Sequence, residues 1–586
     1  MSGAFWLALV VLLFCLPLFV GLGRTDMEND EAIYSFAADV IVASGDWLTP
    51  KSSPWETAPF LEKPPLKFWI VAAPIRLGLL PDSDFGMRFW DAVFGSVAFL
   101  YLFLIGRRIG GPVCGVLAVL MLFVHRPLVF EHGLRSNNME AALVLACCGA
   151  ICHFLMWKSS KDDSRGRRHV FAIALFFVLA FMTKFVAALF LPMIIALVVV
   201  MTPDNRARLV RSWRVWLSAA TLAALLIAPW FLYQHIRFGS VLWEAILGSA
   251  VYTRFTAYLN PTHLQPWHYY VTTMWNELVA SQTALWTVGG LAILIWRSLR
   301  SSSSDEATIL LWFALPIGLI SIGTSKIYHY AYPFLPPLAL AAGYFASVAF
   351  SSIGSVISWL NEQVDRLLPR AVRNVLTSTA GRTLLMVVIV ASGLMVLSAL
   401  ALGPFKVALW SGAVLRVSTP FRALPILALA IVLYRRAGPR AMMVAVLILA
   451  SVLPITTYRR SLSQLSLERH PVRSLRDCIQ QVRASNIDAT GRPPIYVEGD
   501  NLIRYQAAFY FRALGRWSPE TASDSNVFAS LSVQPRPVLL TSARFRALEA
   551  DGRIRDVPAV PVIDQVMLLP GPFGACAVEL GRVDPR

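Results

Sequence analysis

The stretch AALVLACCGAICHFLMW, residues 141–157, holds no Lys, Arg, Asp or Glu over 17 positions. As a helix it would rise about 26 Å, most of the way across a bilayer core of about 30 Å. FWLALVVLLFCLPLFVG at 5–21 and TLLMVVIVASGLMVLSALAL at 383–402 have the same character, and such runs recur through most of the chain up to residue 457. Composition agrees: of 586 residues, 56% are hydrophobic and 15% charged, where a soluble chain has about 45–50% and 25%. The fold class expected is an α-helical polytopic membrane protein.

A net charge of +17 would suit nucleic acid, but the basic residues are not arrayed on an amphipathic face. They fall in clusters between apolar runs: Arg107-Arg108, Lys158 to Arg168, Arg206 to Arg214, Arg297 to Arg300, Arg366 to Arg382 and Arg435 to Arg440. The positive-inside rule assigns all of them to the cytoplasm. Spans are then expected near 4–23, 86–105, 111–130, 138–157, 170–185, 186–202, 215–233, 279–296, 307–325, 330–351, 383–402, 415–434 and 440–457, about thirteen in all. An odd count starting inside puts the tail outside. The chain divides into a membrane domain, 1–457, and an extracytoplasmic domain, 458–586. The first run has no small-residue cleavage site before Arg24 and is expected to stay as a helix.

Two external loops, 24–67 and 235–273, exceed the 2 to 8 residues usual between bundled helices. The first holds an amphipathic helix from Glu31 to Ser44, a turn at Ser44-Gly45-Asp46 and the Pro-rich Glu62-Lys63-Pro64-Pro65. The second holds Trp243, Tyr252, Trp267, Tyr269 and Tyr270, aromatics suited to a headgroup boundary. The tail alternates strands (Pro494 to Glu498, Val538 to Thr541, Gln565 to Leu569, Cys576 to Leu580) with helices (Leu502 to Ala513, Ala543 to Ala550), a small α/β domain. Five cysteines (Cys15, Cys114, Cys147, Cys148, Cys152) lie in apolar runs and act as small hydrophobes. Cys478 and Cys576 lie in the tail, where a disulfide is allowed but not required.

Charges outside the cytoplasmic clusters are few, and at helix ends in a membrane protein they mark function. Asp26, Glu28, Asp30, Glu31, Glu62, Lys63, Arg135, Glu140, Lys184, Arg254, His263, Lys326 and His329 all fall at one expected face. Singly, each has an ordinary explanation: carboxylates at a helix N-terminus complement its dipole, and Arg135 and Glu140 could be snorkelling charges. Their collection at one leaflet points instead to a site.

The order Asp30-Glu31-x-x-Tyr34, then Ser44-Gly45-Asp46-Trp47-Leu48-Thr49-Pro50, then Glu62-Lys63-Pro64-Pro65-Leu66-x-x-Trp69 resembles the first external loop of the bacterial aminoarabinose transferases and the protein mannosyltransferase-like enzymes. Downstream, Arg135-x-x-x-x-Glu140, Thr183-Lys184, Arg254-Phe255, His263-x-x-Pro266-Trp267 and Ser325-Lys326-x-x-His329-Tyr330-x-x-Pro333 are similar to further motifs of that family, covering residues 1 to about 340. The resemblance implies a GT-C fold and transfer of a sugar from a polyprenyl phosphate to an acceptor at the outer face. It implies Asp30 and Glu140 as catalytic carboxylates and Lys63 and Arg254 as cations for the donor phosphate. Glu31, Tyr34, Arg135, Lys184, Lys326 and His329 are implied as substrate-binding groups. Glu62 and His263 match positions that ligate a divalent metal in relatives. Three departures stand out: Glu140 where Asp is usual, Phe185 for the glycine after Thr-Lys, and Val251 where a histidine precedes Arg254. Without that imidazole the usual zinc shell is one ligand short.

The residue types suit such chemistry. A cation stabilises charge growing on a departing phosphate, and a carboxylate orients or deprotonates an acceptor hydroxyl. Lipid A or another envelope glycan is the acceptor expected, with a protein hydroxyl as the alternative. A transporter of lipid-linked sugars would place its charges near the bilayer midplane in paired repeats, and no repeat is visible. A scaffold whose tail binds envelope partners would need none of these charges.

Overall fold

The computed structural model describes residues 3–349 except 28–29, 53–58, 161, 259, 301–303, then the helix Thr379–Leu402 and short stretches beyond it. The apolar runs are helices. Five are long and apolar enough to cross a membrane: Asp84–Phe123, Glu140–Ser159, Asp163–Ala188, Trp213–Phe238 and Asp305–Ile322. Two bent pairs, Phe190–Met201 with Pro203–Arg211 and Tyr328–Phe334 with Pro336–Ala349, bring the number to seven. The chain is thus a multi-pass membrane protein.

Asp84–Phe123 is two spans in one. Its backbone breaks at Gly111 (φ 87°), next to Pro112. The Phe99 and Phe123 rings lie 6.2 Å apart, whereas a straight helix would separate them by about 36 Å. The chain therefore doubles back, and a Cβ on Gly106 would stand 2.7 Å from the Gly115 backbone. Both spans expected here, 86–105 and 111–130, are present as an antiparallel hairpin. Asp163–Ala188 is broken at Lys184 (φ −152°, ψ 79°), at the boundary expected between 170–185 and 186–202.

Glu140–Ser159 is the central helix, buried along nearly its whole length. Its Gly149 lies flush against Phe176, whose ring would stand 2.4 Å from an added Cβ. All five cysteines of the apolar runs are free and buried. Trp213–Phe238, by contrast, exposes Leu217, Leu225, Leu226, Leu232 and Ile236, as a lipid-facing helix does.

Among the described residues, three of the basic clusters meet the acidic start of the helix Asp305–Ile322. Asp305 takes Arg108 at 2.7 Å and Lys158 at 2.8 Å, and Arg297 pairs with Glu306 at 3.1 Å. Lys158 and Glu140 stand at opposite ends of one helix, about 27 Å apart. Charges expected on opposite faces are therefore separated by about one bilayer core.

Beyond Leu402 the described residues depart from the expected run of spans. Val414–Val417, where a span was expected to begin, is a strand paired antiparallel with Phe405–Ala408. A short run rich in Val and Leu serves either period equally well. The rest of 415–434 and 440–457 lies outside the described residues, apart from a few positions and the start of a helix at 456–465. In the tail, Ile495–Tyr496, Glu520–Thr521, Val538–Thr541, Val560–Ile563 and Val566–Leu569 form a mixed five-stranded sheet. The helices expected between them, apart from isolated residues, the strand Cys576 to Leu580, and both tail cysteines lie outside the described residues.

Candidate active site

The first external loop enters as the helix Asp30–Ser44, which packs Ala37, Ala38 and Ile41 on Phe68, Val71 and Ala72 of the helix Leu66–Arg76. Gly45 closes it in the left-handed region (φ 74°), and Asp46 then accepts from the backbone N–H of Leu48 and Thr49, each at 3.0 Å. The loop is thereby folded back over the bundle. The second loop is tied down at Arg254 and His263, whose carbonyls accept from Ser325 N–H at 3.0 Å and Lys326 N–H at 2.8 Å.

Between these loops lies a cavity lined by Glu62, Lys63, Glu140, Lys184, Arg254 and His329 together with Phe185, Tyr330 and Phe334. Six residues separated by up to 267 positions in the chain thus converge. Lys63 is 5% exposed and lies 3.3 Å from Glu62. Burial pushes its ammonium pKa below the ordinary lysine value, against the opposing pull of Glu62. Such a group gains from an incoming anion. Arg254 lies 3.7 Å from Glu62 and donates to the Tyr330 hydroxyl. Burial disfavours its charge, but Tyr330 and Glu62 outweigh this and hold its pKa above the ordinary value. The Lys184 ammonium sits 4.7 Å over the Tyr330 ring and 2.8 Å from Glu140 Oε1. Its broken backbone is what turns this side chain into the cavity.

Asp30 opens its helix with a side chain 40% exposed and stands 3.6 Å from His132 Nε2. His132 in turn lies 3.9 Å from Glu140 Oε2. Tyr34 is buried between Phe60 and Phe68. Its hydroxyl pKa is pushed well up by burial and then by the carboxylates of Asp30, Glu140 and Glu62, which places it beside the same charges.

Other expected site residues are occupied in holding the fold. Glu31 is 4% exposed and forms a bidentate pair with Arg88 at 2.6 and 2.8 Å, while accepting from Asn137 N–H at 2.7 Å. Arg135 donates to the carbonyls of Leu18 at 3.2 Å and Val20 at 2.7 Å. Lys326 donates to the carbonyls of Gln265, at 2.9 Å, and Gly323. Glu62 and His263 do not suit a metal, because two cations already crowd the Glu62 carboxylate. His132 had no motif to announce it. It is placed by a left-handed backbone (φ 58°) in a turn whose Glu131 carbonyl accepts from Tyr332 at 2.9 Å.

The fold recurs in a solved structure, ArnT from Cupriavidus metallidurans bound to undecaprenyl phosphate. It superposes with a TM-score of 0.62 over 98% of this chain and 99% of that one, at 17% identity. The chain shares the fold of that protein. Residues 62–233 of the chain match a family described as dolichyl-phosphate-mannose-protein mannosyltransferase. It is 26% identical over 345 residues to undecaprenyl phosphate-alpha-4-amino-4-deoxy-L-arabinose arabinosyl transferase 1 of Pseudomonas fluorescens (strain Pf0-1), covering 58% of this chain and 55% of that one. A relative from Edwardsiella ictaluri (strain 93-146) is 29% identical over 354 residues, 58% of this chain and 59% of that one. These matches span little more than half the length of the curated relatives.

Proposed function

We propose that the chain is an inner-membrane glycosyltransferase that moves a sugar from a polyprenyl-phosphate donor to lipid A or another envelope glycan at the periplasmic face. The observation that carries this is the meeting of Lys63, Arg254 and Lys184 with Glu140, and with Asp30 close by, at the end of the bundle away from the basic clusters. The named relatives act with undecaprenyl phosphate-linked aminoarabinose, a donor of that class.

The acceptor oxygen attacks the anomeric carbon as the bond to the phosphate oxygen breaks, and polyprenyl phosphate leaves with the electron pair. Lys63 and Arg254 meet the charge that grows on the leaving oxygens. Asp30 orients the acceptor and takes its proton where the acceptor is a hydroxyl, or faces the positive charge on the sugar ring where it is already an anion. Lys184 holds the Glu140 carboxylate in place beside it.

Purified protein is expected to release free polyprenyl phosphate from a labelled polyprenyl-phosphate sugar. Lys63→Ala and Arg254→Ala are each expected to lose about 10²- to 10³-fold in turnover at normal abundance and insertion. Full turnover in Lys63→Ala would remove it from the site, and no release by the parent protein under any acceptor supply would end the transferase reading.

In this reading the domain 458–586 lies in the periplasm. Reporter fusions after Arg165 and Arg208 are expected to read as cytoplasmic and those near Thr262 and Ser523 as periplasmic. A cytoplasmic signal at Ser523 contradicts it.

A further inference from the structure

Two histidines converge on the buried carboxylate of Glu140 at the cavity wall, and neither imidazole has a part in the transfer step above. Ligand atoms of His132, Glu140 and His329 all lie within 4.8 Å of one another, the one such group of three or more His, Cys, Asp or Glu among the described residues. The His132 and His329 rings stack with centroids 4.1 Å apart and planes 21° apart. Glu140 is 2% exposed. Its Oε1 is taken by Lys184 at 2.8 Å, while its Oε2 is buried without a hydrogen-bond partner and faces His132 at 3.9 Å.

We propose that His132, Glu140 and His329 bind one divalent ion of the zinc class, a metal site distinct from the Glu62 and His263 positions that the family resemblance suggests. Two imidazoles and one carboxylate, with a fourth position left open, are a donor set that zinc takes in non-structural sites. Bonds of about 2.0–2.2 Å put neighbouring ligand atoms roughly 3.3 Å apart, so the cluster closes by side-chain shifts on the order of 1 Å. Rings stacked 21° from parallel aim their lone pairs side by side, so both ligate one ion once one imidazole turns out of the stack. Lys184 acts as the outer partner that fixes the carboxylate, leaving one oxygen to ligate. Asp30, 3.6 Å from His132, borders the open position.

The site is tested on the full-length chain in detergent, stripped with chelator and titrated calorimetrically with Zn²⁺ alone, without donor or acceptor. One ion per chain is expected, and Co²⁺ in its place is expected to give the visible absorption of a low-coordinate site. His132→Asn is the variant of choice because Asn tolerates the left-handed backbone; His329→Gln is the second. Each is expected to weaken binding by about 10- to 100-fold or more, with an unchanged thermal unfolding profile of the stripped protein, while Glu62→Ala binds as the parent does. Absence of stoichiometric binding overturns the site. So does binding that survives both histidine variants, or binding that Glu62→Ala abolishes. Because no sugar donor is present, a failed transfer assay leaves this result readable.

Discussion

Asp30→Asn is expected to insert, fold and bind donor as the parent does, and to lose about 10²- to 10⁴-fold in turnover, the usual contribution of a positioned general base. Asp30 is the first residue of its helix, where a carboxylate complements the dipole, and its side chain remains 40% exposed at the site. It has no guanidinium or ammonium partner within ion-pair distance among the described residues; its one such neighbour is His132 at 3.6 Å. A carboxylate so placed costs little to remove. Asn caps a helix about as well as Asp, so stability should change by about 1 kcal/mol or less. Transfer and donor affinity measured on the purified variant separate the two roles, and near-normal turnover would sink the assignment.

Much of this was legible in the sequence, for reasons that differ by element. Uncharged runs of bilayer length cannot be satisfied in water, so the spans around 141–157 and 215–233 were fixed by hydropathy alone. The break between 86–105 and 111–130 was visible because Arg107-Arg108 interrupts the run. Lys63, Glu140, Lys184, Arg254 and His329 were legible only as an ordered set of motifs, since each is ambiguous alone. What sequence could not show depends on tertiary approach. His132 reaches Glu140 and His329 through a left-handed turn, and nothing in Glu131-His132-Gly133 announces where that turn points. Glu31 and Arg88 are 57 positions apart, and neither helical nor strand periodicity relates residues so distant. Arg135 looked like a site cation because it shares a motif with Glu140, yet its guanidinium staples the outer end of the first span.

The adjacent carboxylate should behave in the opposite way. Glu31→Ala is expected to cost about 3–5 kcal/mol of stability, the loss typical when one partner of a buried ion pair is removed. Both members are nearly inaccessible, Glu31 at 4% and Arg88 at 3%, so the abandoned guanidinium has no water to turn to. Arg88 also donates to the carbonyls of Leu22, Thr25 and Asp26 at 2.8 to 3.0 Å. It thus fastens the end of the first span and the start of the external loop to the helix hairpin, and the carboxylate of Glu31 keeps it there. Replacing both partners by apolar residues of similar volume, Glu31→Met with Arg88→Met, should recover part of the loss, because no charge then remains buried. The recovery should be incomplete, since the three carbonyls lose their donor. Thermal unfolding of the purified single and double variants measures both effects. A Glu31→Ala protein that unfolds with the parent and loses only turnover would show that this carboxylate belongs to the site with Asp30, and that the Arg88 pair does not hold the loop.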